Sequence, residues 1–324
     1  MTEKESIKKL AALQKIKYIF TVHYGFTDDA GKALDNHSQE GTKMTPVEQA
    51  AKILSSAWKG VAFTGAGISA ASGISTYRDE GGLWDRFGSE DIFNVLAEHP
   101  DKAHEIIESF FSALEKARPN PAHLALAQLE EMGHLSAVIT QNVDNLHREA
   151  GSRSVYELHG NLYRLRCMTC GKKQGLTREG LFAMVRPVLN KTDAFSLDAL
   201  LRAFPRCECG GLTRPDFVSF GEAVQDLTEA KNAARTCDAM LVIGTSGLVY
   251  PAAALPGMAK RAGAQLIEIN WKESELTPFC DLSIRAQATE VLPQILACLI
   301  PEKKPRRISI LSFVGDRLRR KRKL

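Results

Sequence analysis

Gly65, Gly67 and Ala70 follow directly on the run Val61-Ala62-Phe63-Thr64, and this junction restricts the fold more than any other stretch. The four residues before the turn are β-prone, mostly apolar and free of breakers, so the run predicts a short buried strand. Small residues in the spacing G-x-G-x-x-A let a backbone turn sharply and approach a pyrophosphate. Free N–H groups at the start of a following helix would face that anion. Ser69, Ser72, Ser75 and Thr76 add hydroxyls, and Arg78 adds a fixed positive charge. Ahead of the strand, Thr45-Pro46-Val47-Glu48 supplies a capping hydroxyl, Pro at the first helical position and Glu at the third. That pattern predicts a helix from Pro46 to about Lys59. A glycine turn also occurs in ordinary α/β packing. No lone acidic residue ends a second strand about 20 residues on, as a Rossmann dehydrogenase requires. The chain continues instead as Tyr77-Arg78-Asp79-Glu80-Gly81-Gly82-Leu83-Trp84, so a nucleotide here must be held differently.

The 324 residues suffice for one large domain with a smaller one appended. The 44% hydrophobic and 25% charged content is that of a soluble globular protein. No apolar run reaches the length of a membrane span, and Met1-Thr2-Glu3-Lys4-Glu5 opens no signal-peptide core. The expectation is a cytoplasmic protein, or a nuclear one if a basic tail serves as an address. Seven cysteines, four of them in two pairs, point to metal or free thiols in a reducing compartment. Residues 301–324 hold ten Lys/Arg and two Asp/Glu, a net +8. With +4 overall, residues 1–300 carry −4. The tail, with Pro305-Arg306-Arg307 and Arg317 to Lys323, reads as a solvated segment, a nucleic-acid arm, an anionic-membrane contact or a nuclear localisation signal.

Residues 1–43, an N-terminal extension of mixed charge around Tyr18-Ile19-Phe20-Thr21-Val22, read either as a helix and a strand packed on the body or as a loosely held segment. Residues 79–118 read as helix and loop, with Phe93, Phe110, Phe111 and Leu114 as core or as the wall of a substrate pocket. Pro119-Asn120-Pro121 breaks this region, and a helix is expected from Leu124 to Met132 with His123 at its start. Leu135 to Thr140 reads as a buried strand. Gln141-Asn142-Val143-Asp144 stands at its C-terminal end, the edge at which open parallel sheets bind ligands. Helix capping accounts for one of these amide and carboxylate groups, not for three. Val155 to Leu158 leads to His159-Gly160, Ala239 to Ile243 to Gly244-Thr245-Ser246-Gly247, and Gln265 to Ile269 to Asn270. Five strand ends thus carry Gly65, Gln141, His159, Gly244 and Asn270. Cys167-x-x-Cys170 and Cys207-x-Cys209 flank an insert over 171–206 and suit a closed, tetrahedral, structural Zn²⁺ site. Arg214 to Glu222 is read as returning the chain to the sheet.

Together these stretches resemble the sirtuins, the NAD-dependent protein deacylases of the Sir2 family, from about Pro46 to Leu299. The motifs are Gly65 to Arg78, Thr140 to Asp144, His159-Gly160, the two cysteine pairs, Phe220-Gly221-Glu222, Gly244 to Ser246 and the Glu268–Asn270 strand end. The resemblance implies an α/β fold, a Rossmann-like parallel sheet domain with a smaller zinc-binding plus helical domain and a cleft between them. The large part would comprise residues 44–78, 119–158 and 216–300. The small part would comprise the helical insert 79–118 and the zinc module 159–215. It also implies that the bond from NAD's ribose to nicotinamide is cleaved while the acyl oxygen of an acylated protein lysine captures C1′. The products would be deacylated lysine, nicotinamide and O-acyl-ADP-ribose. By the same resemblance His159 is the general base, a task that suits an imidazole pKa near about 6.5. Asn142 and Asp144 hold the nicotinamide-ribose end, with Gln141 and Val143 beside them. Arg78 and the backbone of Gly65, Ala66, Gly67, Ile68 and Ser69 hold the diphosphate. Gly244, Thr245, Ser246 and Asn270 hold the adenosine half, and Thr76, Tyr77, Trp84 and Ala288 are further NAD contacts.

Three departures stand out. Tyr77 replaces the family's usual Phe, keeping the ring and adding a hydroxyl. Ala286 replaces a usual Gly. Sirtuins that take acidic acyl groups read them with Tyr-x-x-Arg; the matching stretch here is Phe110-Phe111-Ser112-Ala113-Leu114. Neutral acyl groups are therefore expected. Transfer of ADP-ribose to a protein would use the same NAD residues. A polyanion-binding protein with a vestigial NAD site is a further reading, against which the intact His159, Asn142 and Asp144 weigh.

Overall fold

The computed structural model describes residues 44–75, 100–191, 195–219 and 221–300. The extension 1–43, the tail 301–324, Thr76, Tyr77, Arg78, Trp84, Phe93 and Phe220 lie outside these residues.

The first helix, α1 (Pro46–Ser56), is capped as the sequence implies. Thr45 Oγ1 accepts from Glu48 N at 3.2 Å, and Glu48 Oε2 accepts from Thr45 N at 2.7 Å. It stops short of Lys59 because Asp238 takes the Trp58 and Lys59 N–H groups, at 2.7 and 2.8 Å, and draws the chain out of the helix. β1 (Gly60–Thr64) follows, buried at every position. Over the described residues 66–75 the glycine turn does not open an α-helix. Ala66–Ile68 and Ala70–Ser72 are single 3₁₀ turns, and Gly73 closes the second at φ +86°. Serine and glycine are poor helix formers, and one left-handed glycine ends the run.

Further along come α2 (Pro100–Lys116) and α3 (Pro121–Glu131). The latter begins three residues before Leu124 because Pro121 is its first residue and Asn120 its cap. Asn120 Oδ1 accepts from Ala122 N (3.0 Å) and His123 N (3.4 Å). β2 (Ala137–Thr140), α4 (Leu146–Glu149) and β3 (Val155–Glu157) complete this half. After the small sheet described below, α7 (Leu227–Thr236), β7 (Ala239–Ile243), α8 (Ala254–Arg261), β8 (Gln265–Ile269), β9 (Leu282–Ile284) and α9 (Ala288–Leu299) complete the other.

These strands form one parallel sheet in the order β3-β2-β1-β7-β8-β9. Alternate residues of each strand serve opposite faces. Ala62, Val138, Leu241 and Ile267 pack under Leu54, Leu126, Leu292 and Ile295 from α1, α3 and α9. Phe63, Ile139, Val242 and Leu266 pack on Ala230, Ala234, Leu255 and Ala259 from α7 and α8. The chain runs from β1 to β2 on one side and returns to β7 on the other. The C-terminal ends of β1 and β7 therefore flank the topological switch point, the crevice where open α/β sheets bind ligands.

A second, antiparallel sheet has the order β5-β4-β6: β4 (Gly160–Cys167), β5 (Lys173–Gly175) and β6 (Thr213–Phe217). The Arg214–Glu222 stretch thus does not rejoin the large sheet. Its strand pairs with β4, Gly160 opposite Phe217 and Cys167 opposite Thr213. Alternating apolar and charged residues look alike in either sheet, so only the pairing settles which one the strand joins. Helices α5 (Arg178–Leu189) and α6 (Leu197–Arg202) pack with α2 around Phe111, Leu114, Leu181, Phe182 and Val185.

Candidate active site

The five strand ends meet at one edge. Thr64 leads to Gly65, Thr140 to Gln141, Ile243 to Gly244 and Ile269 to Asn270; β3 reaches His159 two residues after Glu157. Gly65 N donates to Ile243 O (3.0 Å) and Gly67 N to Gly244 O (2.8 Å), so the two turns at the switch point are in backbone contact. A Cβ on Gly65 would lie 2.8 Å from Gly244 O, and one on Gly67 would lie 2.7 Å from Gly244 Cα. The glycines are required by this contact before any ligand is considered. Ile68 N and Ser69 N also serve carbonyls within the turn, at 3.2 and 3.0 Å. The array of free N–H groups expected from the sequence is correspondingly narrower, because a 3₁₀ turn uses donors that the first turn of an α-helix would leave open.

Side chains lace the edge together. Gln141 Nε2 donates to Thr245 Oγ1 (2.9 Å), and Asn270 Nδ2 donates to Thr245 O (3.0 Å). Asn142 Nδ2 donates to Gly65 O (3.1 Å) and Ser69 Oγ (3.2 Å). Ser69 Oγ in turn donates to Asp144 Oδ2 (2.6 Å), whose Oδ1 accepts from Leu146 N (2.9 Å). Burial pushes the Asp144 carboxyl up, against the opposing pull of Ser69 and the Leu146 N–H. With both oxygens engaged, Asp144 orients Ser69 and Asn142 rather than presenting an open carboxylate. Asn145 follows at φ +66°, a left-handed conformation held by Asn161 Nδ2, which donates to its Oδ1 at 2.8 Å. Ser246 is half-buried beside Thr245. Its carbonyl accepts from Glu275 N. Val143 packs on the helical core and Ala288 opens α9.

His159 has the geometry of a base. Its Nδ1 lies 2.9 Å from Gln141 O, and a carbonyl only accepts, so the proton of the neutral ring sits on Nδ1 and Nε2 carries the lone pair. Burial pulls its pKa below the usual histidine value, with the Gln141 carbonyl opposing. The neutral, proton-accepting form therefore dominates at neutral pH.

A buried layer supports this edge from beneath. Thr64 Oγ1 donates to Thr140 Oγ1 (2.9 Å), which also accepts from Asn142 N (3.1 Å). His147 Nε2 lies 2.9 Å from Thr64 Oγ1, and the His123 and His147 rings meet edge-on at 4.8 Å. In the sequence His123 reads as a helix-start residue and Thr64 and Thr140 as strand ends, and nothing there assigns a role to His147. Their only signal was a polar group on an otherwise apolar strand or helix face.

The four cysteines of the small sheet converge. All four Sγ atoms lie within 4.8 Å of one another, with Cys167–Cys209 at 3.5 Å and Cys170–Cys207 at 3.7 Å. Sulfurs about 2.3 Å from a tetrahedral Zn²⁺ stand about 3.8 Å apart, so the cluster fits that ion. The N–H groups of Cys170 and Thr169 point at Cys167 Sγ and pull that thiol down to about 6, toward the thiolate a metal requires.

Beside α2 the described arginines are engaged. Arg118 donates to the Glu115 and Ala117 carbonyls, Arg178 to Leu114 O and Glu149, and Arg186 to Glu108, Glu115 and Ser112. Leu114 and Phe111 are buried in the helical core, with Phe110 half-buried against Phe111.

The family model described as Sir2 family matches residues 65–251, more than half of the chain. An NAD-dependent protein deacylase of Thermococcus kodakarensis is 46% identical over 253 residues, 76% of this chain and 93% of that protein. One from Desulfosudis oleivorans is 42% identical over 257 residues, 77% of this chain and 94% of that protein. A solved Sir2 homologue in complex with ADP-ribose is 36% identical with a TM-score of 0.64, covering 78% of this chain and 96% of its own. A Sir2 complex with p53 peptide and NAD⁺ is 33% identical with a TM-score of 0.60, covering 76% and 95%. With the glycine turn, Gln141 and Asn142, His159 and the four cysteines all within residues 65–251, the chain belongs to the Sir2 family.

Proposed function

We propose that the protein removes acetyl and other neutral acyl groups from protein lysines with NAD as co-substrate. The observation that carries this is the His159 ring, its Nδ1–H held by Gln141 O and its Nε2 left to accept a proton, at the same sheet edge as the Gly65–Gly244 switch point. The acyl oxygen attacks C1′ of the ribose, the C1′–N bond breaks, and nicotinamide leaves with the electron pair. Asn142, oriented by Ser69 and Gly65, holds the nicotinamide-ribose end, and Asp144 fixes Ser69. His159 Nε2 then takes a proton from a ribose hydroxyl, whose oxygen attacks the former amide carbon. The lysine amine leaves with a proton, and a water adds to that carbon, so the original acyl oxygen stays on C1′ as a hydroxyl and the acyl group stays on the ribose as an ester. Thr245, Ser246 and Asn270 hold the adenosine half, and Arg78 with the Gly65–Ser69 turn holds the diphosphate. The large part of the chain carries this chemistry. The small part, 79–118 with 159–217, closes the cleft and carries one structural Zn²⁺ on Cys167, Cys170, Cys207 and Cys209 in a reducing compartment; its boundary lies after β6 rather than at 215, because that strand pairs with β4. The net +8 of residues 301–324 favours contact with polyanions, weakening as salt rises.

The neutral preference rests on the engaged arginines. A succinyl or malonyl carboxylate buried without a partner loses several kcal/mol of hydration, whereas each buried CH₂ of an aliphatic acyl chain gains roughly 0.8 kcal/mol. The deciding experiment compares kcat/KM for acetyl-, butyryl- and succinyl-lysine in one peptide, with mass spectrometry of the products. Acetyl and butyryl values above succinyl, with O-acyl-ADP-ribose formed, are expected. A succinyl value equal to or above the acetyl value would refute the acyl assignment. ADP-ribose transferred to protein without loss of acyl would refute the reaction.

A further inference from the structure

Between Glu157 and Gly160 the chain leaves one sheet and enters the other, and Leu158 and His159 are the two residues that make the crossing. Leu158 N donates to Thr140 O, and its carbonyl accepts from Gln225 N, both at 3.0 Å; His159 O accepts from Val218 N at 2.9 Å. Gly160 stands at φ +85°, where an added Cβ would fall 1.9 Å from Asp216 O. β6 therefore lies directly against the residue that follows the histidine.

The Arg164 side chain spans this crossing. Its NH1 donates to Glu157 Oε2 at 3.0 Å and its Nε to Asp216 Oδ2 at 2.7 Å. Glu157 belongs to the six-stranded sheet and is 2% exposed; Asp216 belongs to the three-stranded sheet and is 0% exposed. Each carboxylate has other partners. Glu157 accepts from Arg148 Nε (2.9 Å) and Asn161 Nδ2 (2.6 Å), and Asp216 accepts from Gln225 Nε2 (2.7 Å) with Lys173 Nζ at 3.1 Å. Neutralising the two charges thus does not depend on Arg164. What Arg164 alone contributes, among the described residues, is one rigid fork with a carboxylate of each sheet in its grip. A planar guanidinium holds two acceptors at a fixed mutual angle, whereas an ammonium on its flexible stem offers rotatable donors and imposes no such angle.

We propose that Arg164 is a positioning residue for His159: by clamping Glu157 to Asp216 it fixes the angle between the two sheets, and with it the reach of the imidazole toward the ribose. The proposal rests on the reading of His159 as the base. A displacement of about 1 Å at a reacting group costs up to about 10²-fold in rate.

The test is Arg164→Lys and Arg164→Met in the full chain, with His159→Ala measured alongside. Arg164→Lys keeps a cation at the site and is expected to fold, with kcat lowered about 10- to 100-fold. The KM values for NAD and acyl-peptide should stay within about twofold, because neither ligand is bound by Arg164. Nicotinamide–NAD exchange should be retained relative to product formation, since the C1′–N bond breaks before the base acts. A wild-type kcat in Arg164→Lys overturns the proposal. So does a loss of activity that merely tracks the folded fraction, with both KM values altered. If Arg164→Met fails to fold, Arg164→Lys decides. Normal turnover in His159→Ala removes the base reading and this proposal with it; an inactive His159→Ala beside a normal Arg164→Lys removes the proposal alone.

Discussion

Every residue of β1 and β7 is buried, whereas all three residues of β5 are exposed. The six-stranded sheet has an apolar layer on both faces, drawn from α1, α3, α7, α8 and α9. The three-stranded sheet lacks such layers on both faces. One face carries Arg164, Arg166, Lys173, Asp216 and Glu222 in ion pairs, and one end carries the four thiols. One sheet is held by burial on both faces; the other is held by burial on one face, where Leu162 and Leu165 join the helical core, by charge on the opposite face and, on the fit of its cysteines, by metal at one end. Small modules that cannot bury enough apolar surface commonly depend on such staples. The catalytic edge belongs to the sheet that stands by itself, and His159 sits where the two meet.

The largest effect should come from the metal. Structural zinc contributes about 10–16 kcal/mol of apparent binding free energy to small modules. Metal analysis should return one zinc per chain. A chelator, or Cys207→Ser with Cys209→Ser, should expose residues 159–217 to protease while the parallel sheet keeps its protection. A chain without zinc, or one whose small sheet resists protease after metal removal, would break the comparison.

Next comes the junction itself. His159→Ala should lower kcat by about 10²- to 10⁴-fold and leave NAD affinity and thermal midpoint near their original values. The acid limb of the rate profile has a defined sign. The base must be neutral, and burial pulls its pKa below about 6.5, so activity should hold through that pH and fall only under more acidic conditions. An acid limb above 6.5 would contradict the buried setting of the ring.

Much of this was legible in the sequence because the signals were local. Val61 to Thr64, Ala239 to Ile243 and Gln265 to Ile269 are short β-prone, mostly apolar runs followed by Gly65, Gly244 and Asn270, and each lies in a strand that ends at the edge proposed as the active site. The cysteine pairs identified their own cluster. What escaped was long-range. Nothing in Thr213 to Phe217 says which sheet the strand joins, and nothing local pairs Arg164 with Asp216, 52 positions away. The missing helix after Gly65 escaped for a different reason: Gly67 is consumed by contact with Gly244, a residue from the far end of the matched length.

The apolar layers make a further contrast. Leu241 on β7 is fully buried, so Leu241→Ala should cost about 2–5 kcal/mol. Leu212, beside β6, is 46% exposed, and Leu212→Ala should stay within about 0.5 kcal/mol. Urea midpoints of the two variants measure this directly. Equal costs would mean that Leu212 packs into the one-sided core that Leu162 and Leu165 share with the helices.

Acid should weaken the two sheets in different pH windows. Beneath the catalytic edge His123 and His147 are buried in ring contact. Burial lowers both, His147 to about 3, with the proximity of His147 adding to the effect on His123. An unfolded histidine takes up a proton near about 6.5, whereas His147 in the folded chain resists doing so until about 3. Stability from this group is therefore complete above 6.5 and falls steadily as pH drops below it. At pH 5 the loss from His147 amounts to about 2 kcal/mol. The small sheet has the opposite arrangement. Burial pushes Asp216 up, but hydrogen bonds from Arg164, Gln225 and Lys173 outweigh it and hold the carboxyl below its usual value. Its contribution is intact above about 3.9 and is lost only as pH falls through the lower folded value. Between pH 6.5 and 4.5, then, the parallel sheet should lose stability while the ion pairs of the small sheet persist. Urea midpoints across that range for the wild type and for His147→Gln, whose amide can still meet Thr64, isolate the effect. The variant should show a shallower decline. An identical slope in the two proteins would show that the buried imidazole does not govern acid sensitivity, and that the protonation driving it lies elsewhere in the fold.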